Sequence, residues 1–147
     1  MKLFVDLDGV LVRQTGRDGF DLMLWMPDGK ELWEYVKQFR PTILSQLSPD
    51  IYERGSAQKR VWVDRELGKD VPLIVVQEDT LHTAKWRHSG HGYILIDDHK
   101  EQHWPAWELW GGVFIHHQDA KTTILKLKDV MQIVAAKNYL VMEGFTA

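Results

Sequence analysis

The sequence contains no cysteine. Disulfides, thiolate zinc sites and cysteine nucleophiles are therefore excluded, together with the secreted and catalytic proteins that depend on them. A chain without disulfides is compatible with a reducing compartment, and we expect a cytoplasmic protein.

Long apolar runs are also missing. No apolar stretch approaches the roughly 20 residues that a membrane helix needs, so we expect no contact with a membrane. Asp6 interrupts the apolar N-terminal run much too early for a secretory signal peptide. The formal net charge is only -3, so a generally basic surface for nonspecific nucleic-acid binding is not expected.

What the chain does contain is an alternation of short apolar runs and helical segments. Hydrophobic residues make up 44% of 147 residues, enough for one packed domain over residues 1–147. Nearly all-apolar strands are typical of a parallel sheet that is buried on both faces, so an α/β fold is predicted. The predicted strands are residues 3–6, 42–45, 73–77, 93–97 and 113–116, and the predicted helices are 28–39, 56–68, 80–88, 103–110 and 122–139.

Two of these helices have recognisable starts. Asp28, with Glu31 three residues later, matches a capping box for the first helix. Ser56 is predicted to cap the second helix, which Gly68 would end.

Acidic side chains follow two of the predicted strands. Asp6 ends the first predicted strand and Asp8 follows it, whereas Asp97 ends the fourth strand and Asp98 follows it. Ligands of open α/β sheets bind beyond the carboxyl ends of the strands, so these side chains are expected at one edge. Like charges held together are costly unless a cation joins them, and Mg²⁺ prefers carboxylate oxygens. The pattern therefore predicts a magnesium site.

Residues 6–10, Asp-Leu-Asp-Gly-Val, resemble the first motif of the haloacid dehalogenase superfamily of phosphatases. That superfamily also has a Ser or Thr after the second strand, then a Lys, then an acidic pair after the fourth strand. Ser45, Lys85 and Asp97-Asp98 stand here in that order. A short motif alone is a weak signal, but the ordered set in its strand contexts is specific.

The resemblance implies a role for each of these residues. Asp6 would attack phosphorus and form an aspartyl-phosphate, and Asp8 would protonate the leaving oxygen and later activate water. Ser45 and Lys85 would hold the phosphoryl oxygens and offset their charge. The implied activity is Mg²⁺-dependent hydrolysis of a phosphomonoester, on a small molecule or on a nucleic-acid end.

The resemblance also implies the metal ligands and the topology. Mg²⁺ would be held by the Asp6 carboxylate, the backbone carbonyl of Asp8 and the acidic pair, with Asp98 as the direct ligand and Asp97 acting through water. The implied fold is a three-layer, Rossmann-like parallel sheet with strand order 5-4-1-2-3. This order places the first and fourth strands side by side and brings Asp6 to Asp98.

Within the superfamily, the acidic pair, the Trp-rich helix and Gly111-Gly112 resemble the 5′(3′)-deoxyribonucleotidases and small phage-type relatives. The nucleotidases carry a helical cap after the first motif, whereas residues 11–27 allow only a short flap-like insertion, a minimal cap. Such a site is open to a large substrate, or is closed by a second subunit in a homo-oligomer. Phe20 or Trp25 in the insertion would stack on an aromatic substrate or simply pack within the loop.

Alternatives stay open at this level. Lys59 competes with Lys85, but the lysine of the superfamily lies nearer the acidic pair, so we interpret Lys59 as part of a solvated helix face. The seven histidines could in principle bind zinc, although the acidic constellation favours Mg²⁺. A noncatalytic binding or regulatory module, or another phosphoryl-transfer reaction of the superfamily, would use the same fold.

Overall fold

The computed structural model describes residues 2–13, 23–78 and 85–144. Within these ranges, five parallel strands form one sheet with helices on both faces. The strands are β1 (Lys2–Val5), β2 (Thr42–Leu47), β3 (Leu73–Gln77), β4 (Tyr93–Asp97) and β5 (Val113–His116). The helices are α1 (Gly29–Val36), α2 (Tyr52–Glu66), α3 (Lys100–Leu109) and α4 (Ala120–Met142), with short 3-10 turns at Lys37–Phe39, Pro49–Ile51 and Lys85–His88.

The strand order is β3-β2-β1-β4-β5, which is the predicted order 5-4-1-2-3 read from the opposite edge. The predicted α/β fold is therefore confirmed. β1 lies at the centre and pairs in parallel with β2 and with β4, and Val5 is in register with Ile96. The segments that follow β1 and β4 consequently leave the sheet side by side.

Two apolar cores lie on the two faces of the sheet. Leu3 and Val5 of β1 pack with residues of α1, α2 and α4, whereas Phe4 points to the other face and packs with Trp107 of α3. Because both faces are covered, each strand is a nearly continuous apolar run. This is the reason that the sequence pattern located the strands within a residue or two of their ends.

The helix starts differ from the predicted caps. Asp28 stands at the N-cap of α1 but makes no side-chain cap bond there, and its carboxylate instead accepts a hydrogen bond at 2.6 Å from the amide of Ala120, the first residue of α4. The N-cap of α4 itself is Asp119. Ser56 lies inside α2, which begins earlier because the preceding 3-10 turn starts with Pro49, whose fixed φ favours a helix start. The helix predicted over residues 80–88 is described only as the turn at Lys85–His88, since residues 79–84 lie outside the described ranges.

Within the part of the chain that the structure describes, no helix combines the length and the apolar character needed to cross a bilayer. The longest of these helices, α4, carries several charged residues along its 23 positions.

Candidate active site

Three carboxylates meet at the carboxyl edge of the sheet. Asp6 follows β1, and its amide donates to the Ile96 carbonyl at 2.9 Å, so the ladder between β1 and β4 continues to this residue. Asp97 ends β4, and Asp98 begins the turn to α3. One carboxylate oxygen of each residue lies within 4.8 Å of the others. The structure thus brings together three of the four acids that the sequence places at this edge, and the side chain of the fourth, Asp8, pairs with Lys59 instead.

Lys85 supplies positive charge to this cluster. Its Nζ lies 2.8 Å from Asp6 Oδ1 and 2.6 Å from Asp97 Oδ2, and only 2% of its side chain is exposed. Asp98 adds a third carboxylate beside them. Three carboxylates against one ammonium leave the cluster with an excess of negative charge, which is unfavourable in a buried place.

The pKa values of the cluster reflect this excess. Burial raises the pKa of Asp6 to about 6, against the opposing charge of Lys85 and with the added repulsion of Asp97. Burial also raises the pKa of Asp98 to about 6, together with the charge of Asp6 and a hydrogen bond to it. For Lys85, burial lowers the pKa, but the charges of Asp6 and Asp97 outweigh it and the net change is upward. A cation would favour the ionised form of both acids.

The turn after β1 shapes the space beside Asp98. Gly9 has a φ of +80°, in the left-handed region, and its amide donates to the Val12 carbonyl at 2.7 Å. A Cβ at this position would lie 2.2 Å from Asp98 Oδ2, so a residue without a side chain is required for the carboxylate to approach. Asp98 Oδ1 is buried and has no hydrogen-bond partner among the described residues. A buried carboxylate oxygen without a donor, beside two further carboxylates, fits a Mg²⁺ ligand.

The two residues of the acidic pair differ in the oxygens that they can offer. Asp97 Oδ2 accepts from Lys85, and Asp97 Oδ1 accepts from the His99 amide at 2.8 Å. Both oxygens of Asp97 are therefore engaged, whereas Asp98 keeps one buried oxygen without a donor in the described ranges. This difference supports Asp98 as the direct ligand and Asp97 as the indirect one.

A second polar cluster holds Asp8, Ser45 and Lys59. Lys59 Nζ forms an ion pair with Asp8 Oδ2 and a hydrogen bond of 2.5 Å with Ser45 Oγ. Ser45 Oγ itself lies 3.5 Å from Asp8 Oδ2. Ser45 and Lys59 are fully buried, whereas the Asp8 side chain is 22% exposed. The general acid implied by the sequence thus faces the serine that would bind phosphate.

The interpretation of Lys59 as part of a solvated helix face is wrong. The buried positions of α2 are Gly55, Lys59, Trp62 and Val63. Steps of four and three residues separate Gly55, Lys59 and Trp62, and Val63 is four residues from Lys59, so all of them lie on the face that packs on the sheet. The helical periodicity of the sequence already places Lys59 on the buried face. Lysine is rarely buried without a partner, however, and the sequence does not show that partner.

Two aromatic positions were considered for substrate stacking. Trp25 packs its ring 5.0 Å from that of Trp62, and its Nε1 donates to Glu66 Oε2 at 3.3 Å. Through these contacts Trp25 packs on α2 rather than within its own loop. Phe20 lies outside the described residues.

His103 lies beside Asp97 of the acidic cluster, and the sequence suggested no role for it beyond the zinc binding that any of the seven histidines could support. Its side chain is 6% exposed, and Nε2 lies 3.8 Å from Asp97 Oδ2. Burial lowers the pKa of His103 to about 3, and the charge of Lys85 contributes. The ring is therefore neutral near pH 7. No cluster that includes a histidine offers a metal site among the described residues, where the acidic group of Asp6, Asp97 and Asp98 is the one found.

The fold is similar to that of a solved phosphatase. The crystal structure of D,D-heptose 1,7-bisphosphate phosphatase from B. bronchiseptica, complexed with magnesium and phosphate, matches with a TM-score of 0.54 and 13% identity, over 86% of this chain and 87% of that chain. At this identity the similarity shows the fold alone. Neither a protein-family model nor a curated protein matches the chain. The chain therefore shares its α/β fold with a phosphatase.

Proposed function

We propose that this protein is a Mg²⁺-dependent phosphomonoesterase of the haloacid dehalogenase type, with Asp6 as the nucleophile. The observation that carries the proposal is the convergence of the Asp6, Asp97 and Asp98 carboxylates within 4.8 Å, beside buried Lys85. A carboxylate, a cation site and an ammonium at one sheet edge supply the nucleophile and the positive charge that phosphoryl transfer requires.

In the first half-reaction, an oxygen of Asp6 attacks phosphorus, and the bond between phosphorus and the ester oxygen breaks. Lys85 holds Asp6 Oδ1 at 2.8 Å, which fixes the carboxylate and leaves its other oxygen for attack. Asp8 gives a proton to the leaving oxygen, so that an alcohol departs. The product is an aspartyl-phosphate on Asp6.

In the second half-reaction, water attacks phosphorus and the bond to Asp6 breaks. Asp8 takes a proton from this water, and inorganic phosphate is released with Asp6 regenerated. The Ser45 hydroxyl, fixed in β2, donates to a phosphoryl oxygen. Mg²⁺, held by Asp6, the Asp8 carbonyl and Asp98, would supply positive charge to the phosphoryl oxygens when it is bound.

For the substrate we propose a nucleotide or a phosphorylated nucleic-acid end. The support is the finer resemblance to the nucleotidases and the short insertion at residues 11–27, which leaves little chain to form a cap. A screen of nucleoside monophosphates, sugar phosphates and 3′- or 5′-phosphorylated oligonucleotides tests this. Release of phosphate from sugar phosphates alone would contradict the nucleotide proposal. A homo-oligomer that closes the site stays a prediction, and sedimentation of the intact chain tests it.

The activity itself is tested with p-nitrophenyl phosphate. We expect hydrolysis by the wild type with Mg²⁺, and loss of hydrolysis with EDTA or in Asp6→Asn. Asp64→Asn is the matched control, because Asp64 is a partly exposed residue of α2 that pairs with Arg60. Hydrolysis that is unaffected by both EDTA and Asp6→Asn would contradict the proposed function, as would a wild type without phosphatase activity on any substrate of the screen.

A further inference from the structure

Lys59 is a buried charge to which the proposed reaction assigns no task. Its side chain is fully buried on the sheet-facing side of α2. Its ammonium bonds to Asp8 Oδ2 and to Ser45 Oγ. Taking an ammonium out of water is costly unless it is paired and hydrogen-bonded, so these two contacts are what make the position tolerable.

Both contacts are with residues of the proposed reaction, and the two residues differ in how they are fixed. Ser45 lies within β2, between β1 and β3, in register with Val75. Asp8 lies in the turn after β1, and its side chain is partly exposed. A carboxylate on a turn can adopt several rotamers, and a buried ammonium on one side selects among them. Lys59 therefore connects Asp8, whose side chain can adopt several rotamers, to Ser45, which is fixed in the sheet.

The neighbouring cations Lys85 and Arg60 contact residues other than Asp8. Lys85 is engaged by Asp6 and Asp97 in the other cluster. Arg60, the next residue of α2, points away and pairs with Asp64 and with the Val71 carbonyl. Within the described residues, the ion pair of Asp8 is the one with Lys59.

We infer that Lys59 is a positioning residue, which holds the Asp8 carboxylate against Ser45 so that proton transfer and phosphoryl binding occur at the same substrate. The inference rests on the proposed function. It goes beyond that function by giving a task to a residue outside the ordered motifs.

A double-mutant cycle tests the inference by turnover. Lys59→Met removes the ammonium and keeps an unbranched apolar chain of similar length. In the wild-type background we expect it to lower kcat by about 10–100-fold with KM nearly unchanged. In the Asp8→Asn background we expect a further loss of no more than about threefold, since no carboxylate remains to be positioned. Arg60→Met, the control on the same helix, should leave kcat within about twofold of the wild type.

The same four proteins of the cycle are also unfolded in urea without substrate. We expect Asp8→Asn to shift the urea midpoint less than half as much in the Lys59→Met background as in the wild type. The urea midpoints do not depend on turnover. An inactive wild type would therefore contradict the proposed function, while the midpoints would still show whether the contact between Lys59 and Asp8 stabilises the protein. If Lys59→Met does not fold, Lys59→Gln, which keeps a donor without the charge, takes its place.

The two readouts separate the ways in which the inference would be overturned. An equal loss of kcat for Lys59→Met in both backgrounds would mean that Lys59 acts without Asp8, and the positioning role would be wrong. Equal midpoint shifts in both backgrounds would mean that the contact between Lys59 and Asp8 contributes nothing in the free protein.

Discussion

The candidate site consists of two clusters, each built around a buried lysine, and they differ in charge balance. In the metal-side cluster, Lys85 faces Asp6 and Asp97, with Asp98 beside them. In the acid-side cluster, Lys59 faces one carboxylate, Asp8, and the neutral hydroxyl of Ser45. The first cluster has more negative than positive charge, whereas the second is balanced as it stands.

The charge balance indicates which cluster would favour a cation and how the proposed chemical tasks divide. A divalent cation would relieve the metal-side cluster but would only compete with Lys59 in the acid-side cluster. The proposed nucleophile, Asp6, lies in the first cluster, and the proposed acid-base group, Asp8, lies in the second. Substitutions in the two clusters should therefore separate Mg²⁺ binding from turnover.

The largest separation is expected between Asp6→Asn and Asp8→Asn. Asp6→Asn removes the proposed nucleophile and a proposed metal ligand, so we expect kcat to fall by roughly 10⁴-fold or more and Mg²⁺ to bind more weakly. Asp8→Asn keeps its backbone carbonyl, so we expect Mg²⁺ affinity near that of the wild type and a loss of roughly 10²–10⁴-fold on alkyl phosphates. Kinetics and Mg²⁺ titration calorimetry on both variants give the comparison.

A comparison of two leaving groups tests the proposed proton-donor role of Asp8. p-Nitrophenolate leaves without a proton, so the deficit of Asp8→Asn should be smaller with p-nitrophenyl phosphate than with an alkyl phosphate. Equal deficits with both substrates, while Mg²⁺ remains bound, would show that Asp8 is not the general acid.

The second prediction tests the metal-side cluster by a change of Mg²⁺ concentration and pH, without a mutation. The pKa values of Asp6 and Asp98, about 6, lie above the usual 3.8. Without a cation these two groups favour the fold below about pH 4, and that advantage is lost as the pH rises through 6. Mg²⁺ has to displace the same protons, so it should bind more weakly at pH 5 than at pH 7.5.

Thermal unfolding measures this effect. At pH 7.5, Mg²⁺ at about a hundred times its dissociation constant should stabilise the protein by about 2.7 kcal/mol. The same Mg²⁺ concentration should raise Tm less at pH 5, and in Asp98→Asn the rise should largely disappear at both values. An equal rise at both pH values would contradict the proton competition, and no rise at either would contradict the Mg²⁺ site.

The two clusters also differ in how far the sequence predicts them. Asp6, Asp97 and Asp98 follow apolar runs that define strand ends, and the strand order places those ends together. The polar contacts between distant residues were not predictable in the same way. Lys59 is in phase with the buried face of α2, but its partner Asp8 lies 51 positions away. A lysine on an amphipathic helix is more often solvated, and this general tendency gave the wrong interpretation.

Asp28 shows the same limit outside the site. Its spacing from Glu31 is a local pattern, and the helix that it predicts is present as α1. Its carboxylate, however, accepts a hydrogen bond from the Ala120 amide, 92 positions along the chain. Periodicity therefore predicts elements because it is local, whereas the partner of a polar side chain depends on the packing of the whole domain.

The third prediction concerns Gly9, which follows Asp8 and lies against the Asp98 carboxylate. Gly9→Ala adds a methyl group 2.2 Å from Asp98 Oδ2 and strains a φ of +80°. We expect it to destabilise the fold by about 1–3 kcal/mol and to weaken Mg²⁺ binding, because the Asp98 carboxylate has to move. Gly92→Ala is the control, since Gly92 has a φ of +76° and its nearest contact would be Val134 Cγ1 at 3.7 Å.

Urea unfolding and Mg²⁺ titration of both glycine variants separate strain from site geometry. Gly92→Ala should lose stability through its backbone strain and keep the Mg²⁺ affinity of the wild type. If Gly9→Ala also kept that affinity, the approach of the turn to Asp98 would have no importance for the metal.

The smallest expected effect concerns His103, the neutral neighbour of the metal-side cluster. Its pKa is lowered to about 3 by burial and by Lys85, whereas an unfolded histidine titrates near 6.5. The stability that neutral His103 contributes is therefore present above pH 6.5 and is lost as the pH falls toward 3, by about 1–2 kcal/mol at pH 5. His103→Gln cannot take up this proton, so its stability should fall less between pH 7 and pH 5 than that of the wild type.

Urea unfolding at the two pH values measures the difference, and His91→Gln, at an exposed position, should match the wild type. Equal pH dependence of the wild type and His103→Gln would mean that His103 has the same pKa in the folded and the unfolded chain, and a smaller fall in the wild type would mean that the buried ring is protonated beside Asp97.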